Sequence, residues 1–178
     1  MLLDQKRTRR LVQVVAILTS LAFAGVIFVV LGLVFFGGDA SPEDQVLSDA
    51  KARVQAEPQS ADAWEELASG YAGTGELPQA IIAARKAVQL APRDYRRLQT
   101  LVSLQVRATD TDAAIATVQK FTADNPRNAD AFLQLGQLAE DAGRTDLARL
   151  SYQAFLRLEP DDPSAVAVKQ RLAQLTGS

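Results

Sequence analysis

Residues 64–92 read WEELASGYAGTGELPQAIIAARKAVQLAP, and this stretch decides the fold. Trp64, Leu67, Ala68 and Tyr71 recur at 3-4-3 spacing, which puts them on one face of a helix. Gly73-Thr74-Gly75 interrupts that helix, and Pro78 falls in the first turn of a second one. The second helix carries Ala80, Ala84 and Ala87, small residues that let two helices approach closely, and it stops at Ala91-Pro92. The proline that closes this unit has partners at a fixed interval: Pro58, Pro92, Pro126 and Pro160 each lie 34 residues apart. A period of that length is the mark of a stacked repeat array.

The neighbouring units follow the same rhythm. After Pro126, Phe132 stands where Trp64 stood, followed by Leu135, Gly136, Ala139, Gly143, Ala148, Tyr152 and Phe155. The middle unit keeps Leu98, Leu101, Val102, Ala114, Val118 and Phe121, but has Gln105 in place of Tyr71 and Thr109 in place of the turn glycine. Its turn, residues 108–112, is therefore expected to differ in shape, with Asp110 or Thr111 capping the next helix. Before Pro58, Ser41-Pro42 opens a helix over 43–56 with Val46, Leu47, Ala50 and Val54 on one stripe. After Pro160 a last helix over roughly 164–175 has Val166, Leu172 and Leu175 among its apolar positions. Its Gln170, Arg171 and Gln174 give the polar outer side that the end of a stacked array needs.

N-terminal to the repeats the chain changes character. Residues 11–38 contain no charged side chain, a run of 28 dominated by Leu, Val, Ile, Phe and Ala. About 20 apolar residues cross a bilayer's hydrocarbon core, whereas a cleaved signal peptide has an apolar stretch of about 7–15. The expectation is an uncleaved transmembrane anchor, since Gly38-Asp39-Ala40 is also a poor cleavage site. Lys6, Arg7, Arg9 and Arg10 precede it, while Asp39, Glu43, Asp44 and Asp49 follow it. Basic flanks stay in the cytoplasm, so residues 39–178 are expected on the far side, in a periplasm or lumen. Ala16, Ser20 and Ala24 form a small-residue row of the kind that packs helices in lipid.

Composition excludes several kinds of chemistry. Cysteine and histidine are both absent, which removes disulfides, thiolate nucleophiles, histidine bases and the usual zinc or haem ligands. Residues 39–178 hold 15 basic and 20 acidic side chains, the wrong balance for general nucleic-acid binding. The acidic pairs Asp110/Asp112, Glu140/Asp141 and Asp161/Asp162 fall at helix starts, turns or exposed sites, where capping and solvation account for them. No catalytic, cofactor-binding or metal-binding residue is expected, and no small-molecule substrate.

The residues of 64–92 resemble the tetratricopeptide repeat (TPR), whose units show Trp, Leu, Gly or Ala, Tyr, then Gly, Ala, Ala and Pro. The organisation read on this basis is a basic cytoplasmic segment 1–10, an anchor 11–38 and a linker with an N-terminal half repeat 39–57. TPR units 58–92, 93–126 (degenerate) and 127–160 follow, with a capping helix in 161–178. The fold class is all-α, a right-handed TPR solenoid of eight helices plus one transmembrane helix, with no strand. The resemblance implies a concave groove lined by the first helix of each pair, where a protein or peptide client binds. The groove positions would be Asp62, Glu65 and Ser69 in the first unit and Arg96, Gln99, Ser103 and Arg107 in the second. The third unit would supply Asp130, Leu133, Gln137 and Glu140. Arg93, Arg96, Arg97 and Arg107 are the local anion-binding candidate, the alternative being that Arg93 and Arg97 point outward and pair with Asp94 or neighbouring acids. Some relatives clamp a client's C-terminal carboxylate with Lys and Asn; the corresponding sites here hold Asp62, Glu65, Ser69, Thr100 and Gln134, so that clamp is missing. The implied function is a membrane-anchored, non-enzymatic scaffold for assembling a membrane or envelope complex. The alternatives are an accessory subunit that docks through its transmembrane helix, or a chaperone for exported clients, including those of cytochrome c maturation or photosystem assembly.

Overall fold

Each proline of the 34-residue ladder occupies the second position of a tight turn. In a computed structural model that describes residues 41–176, the N–H of Ser60 reaches the Glu57 carbonyl at 3.0 Å. Asp94 reaches Ala91 at 3.1 Å, Asn128 reaches Asn125 at 3.1 Å and Asp162 reaches Glu159 at 3.4 Å. Proline's fixed φ suits that position, and its missing N–H ends the preceding helix. Three of the turns deliver the chain to a capping side chain. Ser60 accepts from the Ala63 N–H, Asp94 from those of Arg96 and Arg97, and Asn128 from that of Ala131. One tripeptide thus closes a unit and starts the next.

Eight helices result, with no strand among the described residues: α1 (Pro42–Ala56), α2 (Ala61–Gly73), α3 (Leu77–Leu90), α4 (Tyr95–Arg107), α5 (Thr111–Asp124), α6 (Ala129–Asp141), α7 (Thr145–Leu158) and α8 (Ala165–Thr176). From α2 onward each packs on the next. The expected membrane segment, residues 11–38, lies outside the described residues, as does the basic segment 1–10. Among the described residues no helix is long and apolar enough to cross a membrane.

Within each pair the turn is the same, and here the structure corrects an expectation. Gly75, Thr109 and Gly143 all adopt the left-handed conformation, with φ of 82°, 58° and 69°. The next N–H bonds back in each case: Glu76 to the Tyr71 carbonyl at 2.8 Å, Asp110 to Gln105 at 2.9 Å, Arg144 to Ala139 at 2.7 Å. The middle unit has lost its glycine but not its turn. Thr109 is held in a backbone region that costs a β-branched residue about 1–2 kcal/mol, because two hydrogen-bonded helices leave the chain no other route. Asp110 caps α5 through the Ala113 N–H at 3.0 Å.

Apolar burial follows the repeat in three clusters. Leu47 and Ala50 of α1 pack with Leu67, Ala68, Ala80 and Ala84; Leu98, Val102, Val118 and Phe121 centre the second cluster; Tyr152, Phe155 and Val168 centre the third. Two expectations fail. Val46 and Val166 are 56% and 66% exposed, because their helices bury only one narrow stripe, Leu47 with Ala50 and Ala165 with Val168.

Candidate functional site

The first helices of the three pairs are cross-linked into one wall, and α4 stands at its centre. On one side Arg97 reaches α2. It donates to Asp62 at 2.7 Å and to Glu65, and its Nε lies 3.0 Å from Asp94 without the alignment of a hydrogen bond. On the other side the Tyr95 hydroxyl donates to the Asp130 carbonyl at 3.0 Å and to Gln134 Oε1 at 3.3 Å, both on α6. Burial raises the Tyr95 pKa to about 12, with the Asp130 charge adding to it. Tyr95 therefore stays a neutral donor throughout the physiological range.

Arg97 was expected either in an anion-binding group or pointing outward and paired with Asp94 or neighbouring acids; the pairing is present, but the outward direction is not. It is 8% exposed instead, and it occupies the packing position that Ala63 and Ala131 fill in the flanking units, both fully buried. An arginine there can be accommodated only because three carboxylates converge on it. The hydrogen bond from Arg97 holds Asp62 below the usual carboxylate range, and reciprocally raises the guanidinium pKa. Asp62 and Glu65 are thus committed to a link between units. They are present at the wall, but both are held by Arg97.

The third unit is modified in a similar way. Glu140 accepts from the Tyr152 hydroxyl at 2.8 Å and lies 3.4 Å from Arg171 on α8. It ties the capping helix to the array and is not a free groove carboxylate. Burial, followed by this hydrogen bond, pushes the Tyr152 pKa up. Leu133 packs against the third cluster. Asp130 and Gln137 are exposed, as is Ser69, whose hydroxyl bonds its own helix at the Glu65 carbonyl.

What stands open is the outer face of α4. Arg96, Gln99, Ser103 and Arg107 lie at 3-4-4 spacing and all are exposed, while Leu98, Leu101, Val102 and Leu104 are buried. Among the described residues Arg107 makes no ion pair, and Arg96 donates to Glu65 at 3.5 Å with 69% of its side chain exposed. Ser103 bonds its own helix at Thr100. The face offers two guanidinium groups about 16 Å apart along the axis, at 1.5 Å per residue, with amide and hydroxyl donors between them. Such a surface can hold carboxylates and peptide carbonyls.

Comparison with known proteins agrees with this geometry. Residues 100–163 match the family model for the tetratricopeptide repeat. A crystal structure of MamA superposes with a TM-score of 0.57 at 23% identity, covering 72% of this chain and 74% of that one. MamA from Desulfovibrio magneticus RS-1, residue 41 to its end, gives 0.55 at 16%, covering 76% and 75%. The first TPR of Spaghetti (RPAP3), bound to an HSP90 peptide, gives 0.53 at 21%, covering 67% of this chain and 95% of that one. No curated protein matches the chain. At these identities the likeness is one of fold. The described residues form an all-α solenoid with the tetratricopeptide-repeat fold, and residues 100–163 match that family's model.

Proposed function

We propose that this protein is a membrane-anchored scaffold that holds a protein client against the outer face of α4 and serves the assembly of a membrane or envelope complex. The observation that carries this reading is the exposed row Arg96, Gln99, Ser103 and Arg107, beside acids that Arg97 draws into the link between units. The exposed cations on the α4 face are Arg96 and Arg107, so the favoured client segment is acidic. The HSP90 peptide carried by the RPAP3 structure, SRMEEVD, is also acidic. Here the sites that would clamp such a tail hold Asp62, Glu65, Ser69, Thr100 and Gln134, so a free C-terminal carboxylate is not the feature recognised.

Anchoring rests on residues 11–38 and orientation on the basic residues before them. The half-repeat helix α1 begins at Pro42, four residues after that segment in sequence. Protease added to spheroplasts should digest residues 39–178, and digestion only in inverted vesicles would reverse the topology. The client is tested by crosslinked capture from membranes followed by mass spectrometry. Reversal of Arg96 and Arg107 to Glu should abolish capture, while deletion of residues 1–38 should leave it intact. Capture that survives the reversal but not the deletion would move the docking surface to the transmembrane segment.

A further inference from the structure

Arg97 stands where the repeat elsewhere uses alanine. The column runs Ala63, Arg97, Ala131 and Ala165 at 34-residue intervals, and every member is buried. Alanine is enough for packing at the three other positions, so the arginine does something that packing does not require. A carboxylate beside a client-binding arginine competes with the client for it, and Glu65 is so placed. Its Oε2 accepts from Arg97 and also from Arg96, the latter at 3.5 Å. The Arg97 contact is the closer of the two, and the Glu65 side chain is only 18% exposed. Arg97 therefore holds Glu65 down in the seam between α2 and α4, while Arg96 extends into solvent.

Asp62 is the second acid of the seam. Arg97 donates to it at 2.7 Å through Nη2 while Nη1 serves Glu65, and Nε lies 3.0 Å from Asp94. A planar guanidinium can gather carboxylates on several sides at once, which a lysine ammonium or an apolar side chain cannot. Without Arg97 these three acids would lose the cation that gathers them, and Arg96 is already within reach of one. A tethered carboxylate competes at the effective concentration of an intramolecular group. Exposed ion pairs are weak, worth about 1.4- to 5-fold in an equilibrium, so such a competitor displaces a client's carboxylate readily.

We infer that Arg97 is a positioning residue that sets the charge preference of the α4 face: by drawing Glu65 and Asp62 into the seam it leaves Arg96 free for a client's carboxylate. This rests on the α4 face being the client surface. The probes are the peptides Ac-EGSGSE-NH2 and Ac-KGSGSK-NH2, whose terminal charges lie about 17 Å apart when extended at roughly 3.4 Å per residue. Each is titrated at low ionic strength into the full chain in lipid nanodiscs, with the side-chain Nε–H resonances of Arg96 and Arg107 as the readout. The ratio of the two affinities is the quantity compared, because general damage to the fold lowers both and leaves their ratio unmoved. Wild type should favour the glutamate probe, and Arg96→Glu/Arg107→Glu should reverse that preference. Arg97→Ala copies the residue of the flanking units and should reduce the preference about 5-fold or more. Adding Asp62→Asn and Glu65→Gln to it should restore the preference, although the link between α2 and α4 stays absent. Glu65→Gln alone leaves Arg97 bonded to Asp62 and should keep or raise the preference. No preference in wild type would defeat the α4 reading and the role of Arg97 with it. A wild-type preference that Arg97→Ala leaves unchanged, that the two added substitutions fail to restore, or that Glu65→Gln lowers, would overturn the role of Arg97 alone.

Discussion

Replacing Gly136 with alanine tests how the third unit is packed. A Cβ at this position would lie 2.4 and 2.5 Å from Cε1 and Cδ1 of Tyr152, distances that real contacts do not reach. Tyr152 is 3% exposed and its hydroxyl is bonded to Glu140, so the ring has no open direction in which to swing. The repeat shows the compensation: the pair equivalent to Gly136 and Tyr152 is Ala68 and Ala84 in the first unit and Val102 and Val118 in the second. Alanine in a helix gains about 1 kcal/mol over glycine. Overpacking costs about 1–3 kcal/mol, and displacing a hydrogen bond to a charged group costs about 1.5–3 more. The net is a destabilisation of about 1.5–5 kcal/mol. Gly73→Ala is the control, since nothing lies within 4 Å of its Cβ; it should be neutral or stabilising by up to about 1 kcal/mol. Urea unfolding followed by circular dichroism measures both. Gly136→Val/Tyr152→Val rebuilds the middle unit's pair and should be more stable than the two single changes predict by about 1 kcal/mol or more. Equal stability of Gly136→Ala and Gly73→Ala would refute the packing argument.

Further predictions concern the middle unit. Thr109→Gly relieves a positive φ and should stabilise by about 1 kcal/mol in urea unfolding, whereas Gly143→Ala, at φ 69°, should destabilise by a similar amount. Arg97→Met removes the link between α2 and α4. It should cost about 2 kcal/mol, below the range for fully buried pairs because Asp62 is largely exposed. The same variant reports on pH. Asp62 has its pKa lowered in the folded state by Arg97, so its stabilisation is present above the unfolded carboxylate pKa of about 4. It is lost as pH falls through the lower folded value. The wild-type advantage over Arg97→Met should therefore shrink below about pH 4, as followed by urea midpoints across pH 2–7.

The architecture was legible because proline and glycine punctuate it. Four prolines at equal spacing, each at the second position of the same turn, specify where units end. The turn at Thr109 was misread because residue identity signals preference, whereas the flanking hydrogen bonds decide conformation. Val46 and Val166 were misplaced for a related reason: an apolar residue is compatible with burial but does not require it. At the site, the open row Arg96, Gln99, Ser103 and Arg107 was readable from helical spacing alone. The commitments of Glu65 and Glu140 were not, since their partners Arg97, Tyr152 and Arg171 lie on other helices. A signal for Arg97 was nevertheless present, because it interrupts a column otherwise made of Ala63 and Ala131.

The most direct test of the account places a photoreactive amino acid at Gln99, at the centre of the exposed α4 face, with Gln153 on α7 as the control position. In native membranes the Gln99 derivative should crosslink to a defined protein client, and the Gln153 derivative should not. Adding Arg96→Glu/Arg107→Glu to the Gln99 derivative should remove that crosslink. A crosslink that persists after the charge reversal, or one formed equally from Gln153, would contradict the assignment of α4 as the client-binding face.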